Sequence, residues 1–305
     1  MSDVRSGPFG PLNVGEIAKP PFAVLPRPSE LFKSRSERFK ALAEGHQLKG
    51  YLELAAEISA LQHRIQADFT SLPLPTPEEL AQAATHNMPP LGTLLAEPPK
   101  DAVRVLDVFL DGLSALAMPD ATKAAVSALR ETPRDLRAAL LGEALDGPGK
   151  DTDLAQQTLV LAALEVYTTC VAARLDPASL TRIADAICPS CGQPPVASAI
   201  VGWPNALNTR FCQCSLCNTM WNAVRAKCLI CGEQGGISFL SVGGDADPIK
   251  AETCGACRST LKVMYQTLDP ALDLVADDVA TLGLDILLAE KDWKRAGRNR
   301  YLLGY

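Results

Sequence analysis

Four Cys-x-x-Cys pairs, which recur as two copies of one pattern, constrain the fold of this chain more than any other feature of its sequence. The eight cysteines are, in order, Cys188, Cys191, Cys214, Cys217, Cys228, Cys231, Cys254 and Cys257. Each cysteine of the second copy follows its counterpart by 40 positions, and in each copy 22 residues separate the two pairs. Two pairs at such a spacing can bring four thiolates to one tetrahedral metal ion. The segment is therefore predicted to contain two metal sites, each with four cysteine ligands.

The spacing and repetition of the cysteines favour metal ligation over disulfides or inert thiols. Gly192 and Gly232 follow the first pair of each copy, and glycine accepts the positive φ that such a turn often needs. A tetrahedral set of four sulfurs suits zinc and mononuclear iron alike, so spacing alone leaves both open, with zinc slightly ahead. Four thiolates close a site, and the ribbon region contains no histidine. Metal-activated hydrolysis is therefore disfavoured.

Composition and charge exclude several classes of protein. A chain of 305 residues that is 47% apolar can bury a substantial core in two or so domains. Its net charge of −6 and pI near 5.2 argue against nucleic-acid binding. The most apolar stretch, residues 159–175, contains Glu165 and Arg174, which predicts a buried helix and no membrane span. Residues 1–5 lack the apolar core of a secretory signal, so a cytoplasmic location is expected.

The predicted organisation before the cysteines is helical. Residues 1–28 contain six prolines, which predict an extended arm. From Ser29, predicted to cap the first helix, apolar residues recur at spacings of three and four. Residues 29–186 are therefore predicted to form an all-α helical domain, whose last short helix, over 178–186, leads to Cys188.

The predicted organisation from the cysteines onward is that of two ribbons and a helix. Short apolar stretches at 196–201 and 237–242 lie between cysteine turns and predict strands. Two rubredoxin-like or zinc-ribbon-like modules of four cysteines each, 187–226 and 227–268, should depend heavily on metal because each is small. Residues 269–305 are predicted to be a C-terminal helix and a basic tail, which is solvated or contacts an acidic partner. The expected fold class is thus multidomain, α plus small β.

Several segments together resemble the formate dehydrogenase accessory protein family, FdhE. The resemblance rests on the run from Cys212 to Cys231 (CQCSLCNTMWNAVRAKCLIC), on residues 251–257 and 276–285, and on residues 31–43. It extends to Trp293, Arg295 and Asn299 and covers most of the chain. The combination of these segments is more specific than any single Cys-x-x-Cys pair.

The resemblance implies a cytoplasmic assembly factor that is not an enzyme. Such proteins support the maturation or activity of respiratory formate dehydrogenases, and this chain would bind the catalytic subunit before its export by the twin-arginine route. The family's similarity to rubredoxin shifts the expected metal from zinc to iron, held in two mononuclear sites by the eight cysteines. A rubredoxin-type electron carrier or thiol oxidoreductase is one alternative, and a structural zinc-ribbon interaction module is another. Homo-oligomerisation is left open.

Seven further positions match the family and carry no chemistry of their own. They are candidates for partner contact or for packing of the modules, and structural ion pairs are the alternative for the charged ones. The positions are Trp221, Arg225, Glu252, Thr253, Asp285, Arg295 and Asn299. Two cysteines outside the repeat, Cys170 and Cys212, are predicted to be inert buried thiols.

Overall fold

Helices form the first half of the chain, and one sheet with short helices beside it forms the second. The computed structural model describes residues 20–96, 99–147 and 153–304. The helices are α1 Pro28–Ala43, α2 Lys49–Ile65, α3 Pro77–Thr85, α4 Gly92–Ala96, α5 Lys100–Leu113, α6 Asp120–Glu131, α7 Arg134–Asp146, α8 Leu154–Ala172, α9 Ala276–Ala280 and α10 Leu282–Ala289. The strands are β1 Ala23–Val24, β2 Pro195–Val201, β3 Thr209–Cys214, β4 Met220–Ala223, β5 Ile237–Leu240, β6 Ile249–Cys254, β7 Ser259–Tyr265 and β8 Lys294–Arg295. The predicted fold class, a helical domain followed by cysteine ribbons and a C-terminal helical segment, is confirmed.

Helix α8 is the centre of the helical part. Among the described residues it alone is long and apolar enough to cross a membrane, and most of it is buried inside the protein. Asp153 immediately precedes this helix, and its carboxylate accepts hydrogen bonds from the Ala155 and Gln156 amides and so caps the first turn. Helices α1, α2, α5, α6 and α7 pack around it. A helix that is apolar on all sides is stable in water only when other elements surround it.

The two ribbons form one continuous sheet. The strand order is β1-β4-β3-β2-β7-β6-β5, and β8 pairs with β7 off this path. Hairpin neighbours are antiparallel, whereas β2 and β7 are parallel and join the first ribbon to the second. Arg210 of β3 strengthens this join, because its guanidinium lies 2.7 Å from the Glu252 carboxylate of β6. The two modules are therefore parts of one sheet and not independent domains.

Three details of the sequence-based prediction are wrong. The first helix begins at Pro28, so Ser29 lies in its first turn and does not cap it; proline needs no N–H partner at that position. No helix covers 178–186, where the structure has only a 3-10 turn at Pro177–Ser179. The Asp185 carbonyl accepts a hydrogen bond from Trp221 of β4, and its carboxylate pairs with Lys227 of the segment that follows β4. That carbonyl is thus bonded to the sheet and not to a helical amide.

The third correction concerns the predicted basic tail, in which Lys291 and Lys294 are exposed but Arg295 and Arg300 are paired within the fold. Arg300 is 4% exposed, and its Nη2 lies 2.5 Å from Glu165 Oε2 of α8. Arg295 pairs with Asp285 at 2.7 Å. Each of these cations offsets a buried carboxylate, and a charge count along the chain cannot reveal such pairing. Of the predicted N-terminal arm, residues 1–19 lie outside the described residues, and Ala23–Val24 pairs with β4 as strand β1.

A buried polar network connects the helical part to the sheet. Arg35 of α1, fully buried, donates to Glu165 Oε1 at 2.7 Å, to Asn218 Oδ1 at 2.9 Å and to Asp273 Oδ1 at 3.2 Å. Asn218 also donates to Glu165 Oε1 at 2.9 Å. Arg300 also pairs with Glu165, so the two cations Arg35 and Arg300 face the two carboxylates Glu165 and Asp273. Buried charges are tolerated when they are paired and hydrogen-bonded in this way.

Candidate metal centres

The structure brings the eight repeat cysteines together in two groups of four, one in each copy of the repeat. In each group the four sulfur atoms all lie within 4.8 Å of one another. The Sγ–Sγ distances are 3.5 Å for Cys188–Cys217 and 3.4 Å for Cys191–Cys214 in the first group, with corresponding distances of 3.7 Å in the second. All ten cysteines lie in the described ranges and are free thiols. We call the groups the first site and the second site.

The distances in both sites fit a tetrahedral metal ion. Four sulfurs at ~2.3 Å from one ion are about 3.8 Å apart, close to the separations observed, whereas a disulfide requires ~2.05 Å. In the first site, the backbone amides of Leu216 and Cys217 both donate to Cys214 Sγ at 3.4 Å. Amides aimed at sulfur stabilise a thiolate. Both sites can therefore hold zinc or iron, and the sulfur set does not discriminate between them.

The same turn holds the first cysteine pair in both sites. The Cys188 amide donates to Gln193 O, and the Cys228 amide donates to Glu233 O. Gly192 and Gly232 have φ of +81° and +79°, which glycine adopts without strain. The prediction of a positive φ at the glycine after the first pair of each copy is confirmed.

The second cysteine pair of each site also ends in a repeated geometry that the sequence analysis missed. Asn218 and Arg258, the residues after the last cysteine, have φ of +58° and +60°. One position further on, Cys217 Sγ donates to the Thr219 hydroxyl at 3.3 Å, and Cys257 Sγ lies 2.9 Å from the Ser259 hydroxyl. Thr219 and Ser259 are 40 positions apart, so the repeat could have identified a hydroxyl two residues after the last cysteine of each copy.

The two sites differ in exposure because the helical part covers only the first. All four cysteines of the first site are buried. Ser190, inside its first turn, is fully buried, and its carbonyl accepts a hydrogen bond from the Leu91 amide of the helical part. The equivalent Ile230 of the second site is 47% exposed, and Cys231 beside it is exposed. A small molecule can approach the second site more easily than the first.

Ionisation within each site is unequal. In the first site, burial and hydrogen bonds among the sulfurs raise the pKa of Cys191 well above its usual range. In the second, desolvation acts to raise the pKa of Cys257, but hydrogen bonds from the Ser259 hydroxyl and amide lower it to about 7. The Glu233 amide acts to lower the pKa of Cys231, but desolvation and the neighbouring thiols raise it to about 12. The Cys257 thiolate therefore forms readily at neutral pH, whereas a bound cation is needed to stabilise all four cysteines of a site as thiolates.

Most of the seven other family positions lie inside the fold. Trp221 is 1% exposed and donates through Nε1 to Asp185 O. Glu252 pairs with Arg210, and Thr253 is 1% exposed. Such burial favours packing and ion pairing over partner contact at these positions.

The remaining positions of that set divide between an ion-pair cluster and the surface. Asp285 and Arg295 pair with each other, and the amide of Asn299 donates to Asp278 Oδ2 at 2.9 Å. Arg225 is exposed, so partner contact at Arg225 stays a prediction.

The two cysteines outside the repeat are buried thiols that belong to neither group of four. Cys212 is fully buried on β3, and desolvation raises its pKa to about 12. Cys170 lies in α8, where burial likewise raises its pKa to about 12. Neither thiol belongs to a group of four that could share a cation, so each stays protonated and is a poor nucleophile at neutral pH.

Comparison with known families decides what kind of protein carries these sites. The models of the FdhE N-terminal, central and C-terminal domains match residues 20–185, 187–225 and 226–302, respectively. The chain belongs to the FdhE family. Proteins of the FdhE family are known as formate dehydrogenase accessory proteins.

Individual relatives agree with this assignment along nearly the whole chain. An FdhE homolog from Rhizobium meliloti is 38% identical over 301 residues, which cover 97% of each chain. One from Pseudomonas aeruginosa is 34% identical and covers 91% of this chain and 92% of its own. The crystal structure of the FdhE protein from Pseudomonas aeruginosa superposes with a TM-score of 0.84 at 32% identity, covering 93% of this chain and 99% of that one. The resemblance inferred from the sequence is thereby confirmed.

Proposed function

We propose that this protein is a cytoplasmic assembly factor that binds the catalytic subunit of a respiratory formate dehydrogenase before twin-arginine export. The observation that carries the proposal is its membership of the FdhE family over almost the whole chain. The described residues support a binding role. Both cysteine groups contain four ligands and leave no position for a substrate, unlike catalytic zinc sites, which keep one position open.

The proposal includes iron in both sites, each held by the four cysteines of one repeat. Four thiolates that need a cation and lie at tetrahedral spacing support metal ligation. A ferrous or ferric ion in such a set would add one-electron chemistry, whereas zinc would act only structurally. Thr219 and Ser259 would contact a cysteine of each site through their hydroxyls and tune its sulfur.

Two measurements test the proposal and its alternatives. Protein purified without oxygen is analysed for metal and its visible spectrum is recorded. Two iron ions and a red colour that bleaches on reduction support iron, whereas two zinc ions in a colourless protein support the structural zinc module. A reversible midpoint potential, together with turnover in which the protein accepts electrons from a donor, would instead support the alternative of an electron carrier or thiol oxidoreductase.

The client is tested separately. The tagged protein is mixed with a formate dehydrogenase catalytic subunit and recovered by affinity, and formate dehydrogenase activity is measured in a strain that lacks this protein. Recovery of the subunit and loss of activity are expected. Full activity in the deletion strain would refute the accessory role.

A further inference from the structure

The two modules of the sheet repeat one strand arrangement side by side. In the sheet order, β4-β3-β2 is followed by β7-β6-β5. Strand β6 corresponds to β3 by the 40-residue offset, and β5 lies against β6 as β2 lies against β3. In the second module, Phe239 and Leu240 pair with Glu252 and Ala251. In the first module, Ser198 and Ala199 pair with the residues 40 positions earlier, Cys212 and Phe211. Strand β5 is therefore the second module's copy of β2.

The outer edge of β2 is filled, whereas the outer edge of β5 is open. Ser198 and Ala199 pair with Val263 and Met264 of β7, which runs parallel to β2. Among the described residues, no strand pairs with the corresponding edge of β5. We call the side of Ile237–Leu240 that faces away from β6 the β5 edge.

Backbone groups point out of the β5 edge. The Gly255 amide donates to Gly236 O, and these two residues are opposite each other in the register of β5 and β6. Because bonded and non-bonded pairs alternate in an antiparallel ladder, Ile237 and Phe239 direct their N–H and C=O groups outward. An added strand would find hydrogen-bonding groups there, as β7 does on β2.

The side chains of the β5 edge lack the protection that open edges usually have. Native proteins protect such edges with charges, prolines or bulges, but residues 234–244 contain no charge and no proline. Phe239 and Leu240 are 42% and 39% exposed. The corresponding Ser198 and Ala199, whose strand edge is paired with β7, are fully buried. The exposed apolar surface is what an absent neighbour would cover.

The opposite end of the sheet argues against stacking of copies in the same direction. A second copy that continued the repeat would have to present the outer edge of its β4 to β5, because β4 is the counterpart of β7. Ala23 and Val24 already occupy that edge by pairing with Trp221 and Met220. Strand β1 therefore blocks head-to-tail growth of the sheet.

We propose that the β5 edge binds an extended, uncharged segment of a protein partner, which adds a ninth strand parallel to β5. The added strand would repeat in the second module the pairing that β2 makes with β7, and its lack of charge would match that of residues 234–244. The partner is the formate dehydrogenase catalytic subunit, so this inference rests on the proposed function. Strand addition obtains affinity from main-chain hydrogen bonds and specificity from alternate side chains.

Two substitutions of one residue test the β5 edge. Phe239→Pro removes an outward N–H without removing a bond to β6, and Phe239→Lys places a charge on the edge. The matched control is Leu136→Lys, which puts the same charge at an exposed leucine of α7. Metal content and circular dichroism establish that each variant is folded, and the dissociation constant of the purified catalytic subunit is then measured by calorimetry.

Both Phe239 variants are expected to weaken binding of the catalytic subunit at least tenfold, and the control is expected to stay within twofold of the unchanged protein. In addition, backbone amides of 237–241 should exchange hydrogen more slowly when the subunit is bound. If the unchanged protein binds and the Phe239 variants bind equally well, the β5 edge is refuted and the proposed function stands. If the unchanged protein does not bind the subunit, both fail. A dimer that Phe239→Lys converts to a monomer would assign the edge to a second copy and refute the proposed occupant.

Discussion

Replacing Glu165 with glutamine tests whether the buried network holds the two halves of the molecule together. Glu165 is fully buried in α8 and accepts from Arg35 and Asn218 through Oε1 and from Gln62 through Oε2, beside Arg300. Glutamine keeps the shape but removes the charge. The guanidinium groups of Arg35 and Arg300, 0% and 3% exposed, would then lack their shared carboxylate.

The expected cost follows from the burial of both cations. Removing one partner of a buried ion pair typically destabilises a protein by about 3–5 kcal/mol. At ~2–4 °C for each kcal/mol in a protein of this size class, the melting temperature should fall by roughly 10 °C. Glu143→Gln, at an exposed carboxylate of α7, is the control and should change the free energy of unfolding by less than about 0.5 kcal/mol.

The assay is urea unfolding followed by tryptophan fluorescence, because Trp221 is buried in the sheet. A double-mutant cycle adds Arg35→Gln, alone and combined with Glu165→Gln. The combined cost should be smaller than the sum of the single costs by at least about 1 kcal/mol, since the second change removes a charge that the first left unpaired. A Glu165→Gln variant as stable as the Glu143→Gln control would refute the reasoning.

Three further predictions concern the metal sites, acid stability and close backbone packing. A coloured chelator should remove metal from the second site at least tenfold faster than from the first, because only the first is covered. Each site is measured by itself in a variant in which the other site lacks one cysteine, and equal rates of metal removal in the two variants would contradict the prediction. At Asp278, burial acts to raise the carboxyl pKa, but Lys262 and Arg295 outweigh it and lower the pKa below its ordinary value. The stability it contributes is present above pH ~4 and lost as pH falls through the lowered pKa; urea midpoints between pH ~3 and ~7 should therefore depend less on pH in Asp278→Asn. Gly297→Ala should lower the free energy of unfolding by about 1–3 kcal/mol, because the added carbon would lie 2.3 Å from Val196 O; unchanged thermal stability would contradict it.

The sequence predicts the cysteine groups well because their chemistry is local and repeated. Spacing within each turn and the offset of 40 residues are enough to group four cysteines in each copy. Exposure is not local: Ser190 is buried and the equivalent Ile230 is exposed, the reverse of what residue type suggests. The helical part covers the first module only, and no pattern within the modules records that.

Long-range pairing escapes sequence analysis for a related reason. Arg300 belongs to a run of basic residues that suggests a solvated tail, and its partner Glu165 lies far earlier in an apolar helix. Each residue looks anomalous alone, and only the fold shows that they offset each other. The parallel pairing of β2 with β7 is hidden in the same way, since parallel strands are joined by long connections.

The partners of Glu165 also bear on the order in which the molecule can be completed during synthesis. Glu165 leaves the ribosome long before Asn218 and Arg300, and Arg35 leaves long before Asp273. Domains commonly fold one after another as they emerge, but here the buried Arg35–Glu165 pair of the early helices would lack its partners Asn218, Asp273 and Arg300 until the later segments arrive. The nascent helical half should therefore stay open, or depend on a chaperone, until the metal-binding half has been made, and a fragment ending near residue 186 should not reach the native packing of α1 against α8.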